Sequence, residues 1–118
     1  MTDLLLLAED ELFVAMDVAE IAEGVGFAVD GPHESLSATL AAIGSDPGRF
    51  RAAILDVRLI DGEVFPAADR LAQAGVPIIF HSGHASGGAL VAHYPGATIC
   101  ANPCQPDANE AALARVKG

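Results

Sequence analysis

The sequence predicts an α/β domain: a doubly wound, five-stranded parallel sheet with helices on both faces. Three observations carry this. Short apolar runs alternate five times with segments of helical spacing. The runs are apolar throughout, as strands covered on both faces are. The 12 glycines and 7 prolines fall mostly between these segments and act as punctuation. Right-handed crossovers in a sheet of this size favour the flavodoxin-like strand order 2-1-3-4-5.

The elements follow in order. Leu4 to Ala8 is an unbroken apolar run bounded by acids and reads as the first strand. Glu11 to Gly24 is a helix, with Val14, Val18, Ile21 and Val25 on one stripe and Gly24 and Gly26 as its stop. Phe27 to Val29 is a short second strand. Pro32 opens a second helix whose apolar face is Leu36, Leu40 and Ile43, ended by Gly44, and residues 45–48 form a loop. Arg51 to Asp56 is the third strand. The chain then turns at Asp61-Gly62, and a helix from Glu63 to Ala74 buries Val64, Ala68 and Leu71 before Gly75 stops it. Val76 to His81 is the fourth strand, with Pro77 at its entry, where a lost N–H matters least. Gly83, Gly87, Gly88, Pro95 and Gly96 make the next segment a poor helix, so a fourth helix is expected to be short or mobile, at most Ala89 to His93. Ala97 to Ala101 is the fifth strand, and Pro106 starts a last helix running through Leu113 and Val116.

Composition bounds the function. A chain of 118 residues with 52% hydrophobic side chains can build one core, so residues 1–118 are expected to form one domain. The chain ends soon after the last helix, from which no further output module is expected. Net charge is −10, which excludes a basic nucleic-acid-binding surface and disfavours an anionic membrane as partner. No apolar run approaches a spanning helix, the N-terminus lacks a basic leader, and two cysteines make no disulfide framework. The expected location is the cytoplasm.

The predicted topology also decides which residues meet. Glu9-Asp10 follows the first strand, Asp56 ends the third, Ser82 follows the fourth and Asn102 the fifth, all at one rim. Three carboxylates in one crevice repel each other, and a hard divalent cation removes the conflict. Mg²⁺ suits such an oxygen set, with water and phosphate completing its shell. A carboxylate beside it is a plausible nucleophile for phosphorus. The plainer alternative is that Asp10 or Glu11 caps the following helix.

These residues resemble a known family. Leu4-Leu5-Leu6-Leu7-Ala8-Glu9-Asp10-Glu11 looks like the opening of a response-regulator receiver domain of bacterial two-component signalling. Ala53-Ile54-Leu55-Asp56-Val57-Arg58-Leu59 with Asp61-Gly62 looks like its phosphoacceptor strand and loop. Pro77-Ile78-Ile79-Phe80-His81-Ser82-Gly83 looks like its fourth strand. The run through His84 is similar to a small stand-alone alphaproteobacterial subgroup with a Phe-x-Thr-Gly-Tyr signature, Ser82 and His84 standing for Thr and Tyr. The resemblance implies that Asp56 accepts a phosphoryl group from a phosphohistidine on a histidine kinase or phosphotransfer protein. It implies Mg²⁺ on Asp10, Asp56 and the Arg58 carbonyl, with Glu9 reaching the ion through water. Ser82 would hydrogen-bond a phosphoryl oxygen, and an unidentified downstream protein would read the result. The domain would be a signalling module, not an enzyme in its own right.

The sequence departs from that pattern at two places. Asn102 stands where the family has Lys, so a donor remains but its charge is lost. Ile99 stands where an aromatic switch residue is common. The first departure favours an alternative reading, a phosphorylation-independent protein-interaction module. Arg58 is the nearest cation in sequence, and an exposed loop position is its simpler reading. His81, His84, Cys100 and Cys104 offer ligand types for Zn²⁺, but His81 lies in a strand beside Ser82, whose side chain points the other way. Phe13 and Met16 flank the core stripe of the first helix, where partial burial is expected; His33 and His93 are expected at the surface. Two other folds of this topology rank below the receiver reading: Glu9-Asp10 would repel the FMN phosphate of a flavodoxin, and the Asp-x-Asp after the first strand and the later Lys of a haloacid-dehalogenase-type phosphatase are missing.

Overall fold

The computed structural model describes residues 3–82, 90, 92–101 and 106–117. A parallel sheet contains β1 (Asp3–Ala8), β2 (Phe27–His33), β3 (Ala52–Asp56), β6 (Ile78–Ser82) and β7 (Thr98–Ala101), in the order β2-β1-β3-β6-β7. Setting aside a two-strand hairpin described below, this is the predicted 2-1-3-4-5 winding.

The strands are apolar throughout because both faces are covered. Leu5, Leu7, Ile54 and Ile79 pack under α1 (Leu12–Val25) and α4 (Pro106–Lys117) with Val18, Ala112 and Leu113. Leu6, Ala8, Leu55, Ile78 and Phe80 pack under α2 (Leu36–Ile43) and α3 (Phe65–Gln73) with Ile43, Ala68 and Leu71. Successive residues of each strand therefore feed opposite layers.

Several boundaries differ from expectation. Pro32 does not open a helix. It lies inside β2, an edge strand where a missing N–H is tolerated. Helix α2 instead starts at Leu36, because Ser35 accepts the Ala38 N–H at 3.0 Å and Asp61 accepts those of Leu36 and Ser37 at 2.5 and 3.2 Å. The fourth predicted strand begins two residues later than expected and includes Ser82. In α1 the fully buried stripe is Ala15, Val18 and Ala22, with Val14, Ile21 and Val25 half-buried. Small alanines face the sheet because they let the helix approach closely. Phe13 and Met16 are not partly buried as expected; they are 84% and 57% exposed.

The segment after Asp56 forms a short antiparallel hairpin, β4 (Arg58–Leu59) with β5 (Gly62–Glu63), which the sequence reading missed. It docks on α2 through Asp61 and through the Ile60 N–H to the Glu34 carbonyl, 3.2 Å. Gly31 stands at φ +135°, and a Cβ there would run into the Leu7 carbonyl oxygen, so close packing of β2 on β1 requires glycine. Of the expected fourth helix, residues 89 and 91 lie outside the described residues, while Leu90, Ala92 and His93 are helical. Just past it, the Tyr94 N–H donates to the Leu90 carbonyl at 2.7 Å, and both side chains are buried.

Candidate functional site

The doubly wound sheet brings the ends of β1 and β3 side by side, with Ala8 paired to Leu55. Glu9 and Asp10 continue from β1, and Asp56 ends β3. One carboxylate oxygen from each of the three lies within 4.8 Å of the others. The placement follows from strand direction. Parallel neighbours end at the same rim, and the helices that follow β1 and β3 leave on opposite faces, so a crevice opens between them.

The three acids differ in environment. Glu9 is 3% exposed and Asp56 8%, while Asp10 is exposed. The Glu9 N–H is held by the His33 carbonyl at 2.9 Å, which ties the rim to β2. Glu9 Oε2 accepts the Glu11 N–H at 3.2 Å, but Oε1 is buried without a hydrogen-bond partner among the described residues. Burial, then the adjacent Asp56 carboxylate, push the Glu9 carboxyl up to about 8, against the pull of the Glu11 N–H. Asp56 Oδ1 accepts the Arg58 N–H at 3.3 Å.

A buried carboxylate oxygen left unpaired and two converging carboxylates form an oxygen-only donor set that fits Mg²⁺. Ligand oxygens on a six-coordinate Mg²⁺ lie about 3–4 Å apart, so the three acids need close only slightly. Helix capping does not account for these acids: Glu11 occupies the N-cap of α1 without a side-chain cap bond, and only Glu9 reaches a backbone N–H there.

Arg58 is exposed on β4, where its Cα pairs with Glu63. Ser82 is 5% exposed at the end of β6, one residue beyond His81, whose Cα partner is Asp56. The fold thus gathers Glu9, Asp10, Asp56 and Ser82 at one rim. Asn102, Gly83, His84 and Cys104 lie outside the described residues.

His81 is no surface ligand. It is 1% exposed, and its Nε2 lies 2.9 Å from Oδ1 of Asn109, itself 2% exposed on α4. Burial pushes the imidazole below its usual range, opposed by that bond and by the charge of Asp56. Cys100 is a free, buried thiol whose Cα pairs with His81. Among the described residues, the acid trio is the one grouping of three or more metal-binding types, so the zinc reading of His81 and Cys100 finds no support.

Two functional neighbours escaped the sequence reading. Asn109 lies on the stripe Asn109, Ala112, Leu113, Val116, and a polar residue on an apolar stripe was the available signal. Asp61 read only as a turn residue, yet it closes the N-terminus of α2.

No protein-family model and no curated protein matches the sequence. Solved structures do. A response regulator receiver protein from Sinorhizobium medicae WSM419 is 20% identical, with a TM-score of 0.81 over 98% of this chain and 94% of that one. The response regulator PhyR from Brucella abortus is 24% identical, with a TM-score of 0.80 over 98% of this chain and 48% of that one. The non-phosphorylated HemR receiver domain from Leptospira biflexa is 23% identical, with a TM-score of 0.79 over 97% and 93%. At this level of identity the likeness is one of architecture: over nearly its whole length the chain has the fold of response-regulator receiver domains.

Proposed function

We propose that residues 1–118 act as a receiver domain that accepts a phosphoryl group on Asp56 from a phosphohistidine of a histidine kinase or phosphotransfer protein. The observation that carries this reading is the buried Glu9 carboxylate, which has Oε1 unpaired among the described residues and one oxygen within 4.8 Å of an oxygen from each of Asp10 and Asp56. A buried carboxylate oxygen is costly to leave charged and unpaired; without metal a proton relieves it, and in the ionised form a cation does.

Glu9, Asp10 and Asp56 would hold Mg²⁺, with the Arg58 carbonyl as a further ligand. The ion supplies charge neutralisation for the transferring group. The residues do the rest. An Asp56 carboxylate oxygen attacks phosphorus; the N–P bond of the donor breaks, an O–P bond forms, and the imidazole leaves with the electron pair. The Arg58 N–H orients the carboxylate from its other side. Ser82 donates its hydroxyl to a phosphoryl oxygen, and Asn102 supplies a neutral donor in place of an ammonium. Phosphoryl transfer needs mainly positioning and charge compensation, so this set suffices.

The donor protein approaches the rim over the start of α1. Leu12, Phe13 and Met16 are exposed there, 64, 84 and 57%, beside Asp10, Glu11, Asp17 and Glu20. An apolar patch in an acidic frame suits a partner with an apolar surface rimmed by Lys and Arg. The free, buried Cys100 and the absence of any long apolar helix among the described residues agree with a cytoplasmic setting.

The test is intact mass after incubation with a small-molecule acyl phosphate. Wild type gains one phosphoryl group with Mg²⁺ and none with chelator, and Asp56→Asn gains none. Failure of wild type to gain mass favours the second reading, a phosphorylation-independent interaction module, which Asn102 in place of Lys supports.

A further inference from the structure

The layer between the sheet and helices α1 and α4 is apolar, built from Leu5, Leu7, Val18, Ile79, Ala112 and Leu113. A polar bond crosses it, from His81 Nε2 to Asn109 Oδ1 at 2.9 Å, with both residues at most 2% exposed. An amide oxygen only accepts, so Nε2 carries the proton. A pair of leucines would fill the same space. What the polar pair adds is one fixed partner, and so a defined seat for α4 on the sheet.

His81 has connections on both sides. Its carbonyl accepts the Val57 N–H at 3.1 Å, and Val57 directly follows Asp56. Its chain neighbour is Ser82. Its ring holds α4. A single residue thus links the acceptor loop and the rim hydroxyl, through the backbone, to the last helix, through the side chain. The adjacent strand has no polar side chain at Ile99 to do the same.

We propose that the His81–Asn109 hydrogen bond couples the state of the acceptor site to the seating of α4 on the sheet. The inference rests on the reading of Asp56 as acceptor. The physical step is simple. Movement of Ser82 or Val57 toward a phosphoryl group displaces the His81 backbone, and an N–H···O bond tolerates only a few tenths of an ångström. Asn109 then follows, or the bond is lost; either outcome moves α4 relative to the sheet.

The test uses the full chain as wild type, His81→Leu and His81→Gln, with Asn109→Leu as a second break should His81→Leu not fold. Gln keeps an N–H donor at similar reach. Each is treated with an acyl phosphate and Mg²⁺, then read by intact mass and by amide hydrogen exchange across residues 106–117. All folded forms should gain one phosphoryl group. Exchange in α4 should change on phosphorylation in wild type and His81→Gln, and about two- to tenfold less in the Leu variants, the range set by the net worth of one hydrogen bond. Three results overturn the coupling: a full α4 response in the Leu variants, an α4 blind to phosphorylation in a phosphorylated wild type, or a His81→Gln response as weak as that of the Leu variants. Wild type without mass gain overturns the acceptor reading itself, and the coupling with it.

Discussion

At the scale of single residues, Glu9 is the group whose environment says most. An acid pushed up to about 8 by burial and by the Asp56 carboxylate holds its proton in the folded chain where the unfolded chain, near 4.5, has lost it. Between those values the folded state binds more protons, so this group's contribution to stability falls as pH rises from about 4.5 to 8. Metal-free protein should therefore lose melting temperature between pH 6 and pH 8.5, and Glu9→Gln should flatten that slope. On the proposed reading the ionised trio holds Mg²⁺, so the ion should reverse the trend, adding about 1.4 kcal/mol at ten times its dissociation constant. Thermal melts of both proteins at the two pH values, with Mg²⁺ or chelator, check this. A slope unchanged in Glu9→Gln would assign the effect elsewhere.

At the scale of elements, the hairpin after Asp56 and helix α2 form one unit. Asp61 accepts two N–H groups of the first turn of α2, and these bonds hold its carboxyl below the usual Asp range. A depressed acid stabilises above its unfolded pKa, and the contribution is lost as pH falls through the folded value. Asp61→Ala should lower the melting temperature at pH 7, and the gap to wild type should close on strong acidification. Melts across that range decide it; a gap independent of pH would remove the charge from the explanation. This pairing also shows what the sequence could and could not reveal. The strand-helix alternation, the order of strands and the meeting of Glu9, Asp10, Asp56 and Ser82 were legible, because apolar runs and parallel winding fix which ends share a rim. Pro32 misled because proline opens helices and also sits in edge strands, and only the fold says which strand is an edge. Asp61 and Asn109 act across 25 and 28 residues of chain. Local patterns carry no trace of such partners.

At the scale of the whole molecule, charge and shape point one way. The net charge of −10 repels nucleic acids and other acidic proteins and would steer in the proposed donor if its rim is basic. Phe13, the most exposed of the large apolar side chains among the described residues, stands at the start of α1, three residues after Asp10. Buried aromatic anchors dominate protein interfaces, and truncating one costs about 2 kcal/mol, roughly thirtyfold. Phe13→Ala should thus slow phosphotransfer from the donor protein by about that factor while leaving phosphorylation by a small acyl phosphate unchanged, since the latter touches only the rim. Added salt should slow the protein-donor reaction through its association step and spare the small-molecule one. Parallel time courses with the two donors, at low and high ionic strength, separate docking from chemistry. Equal slowing of both by Phe13→Ala would mean that the ring supports the rim and does not meet a partner.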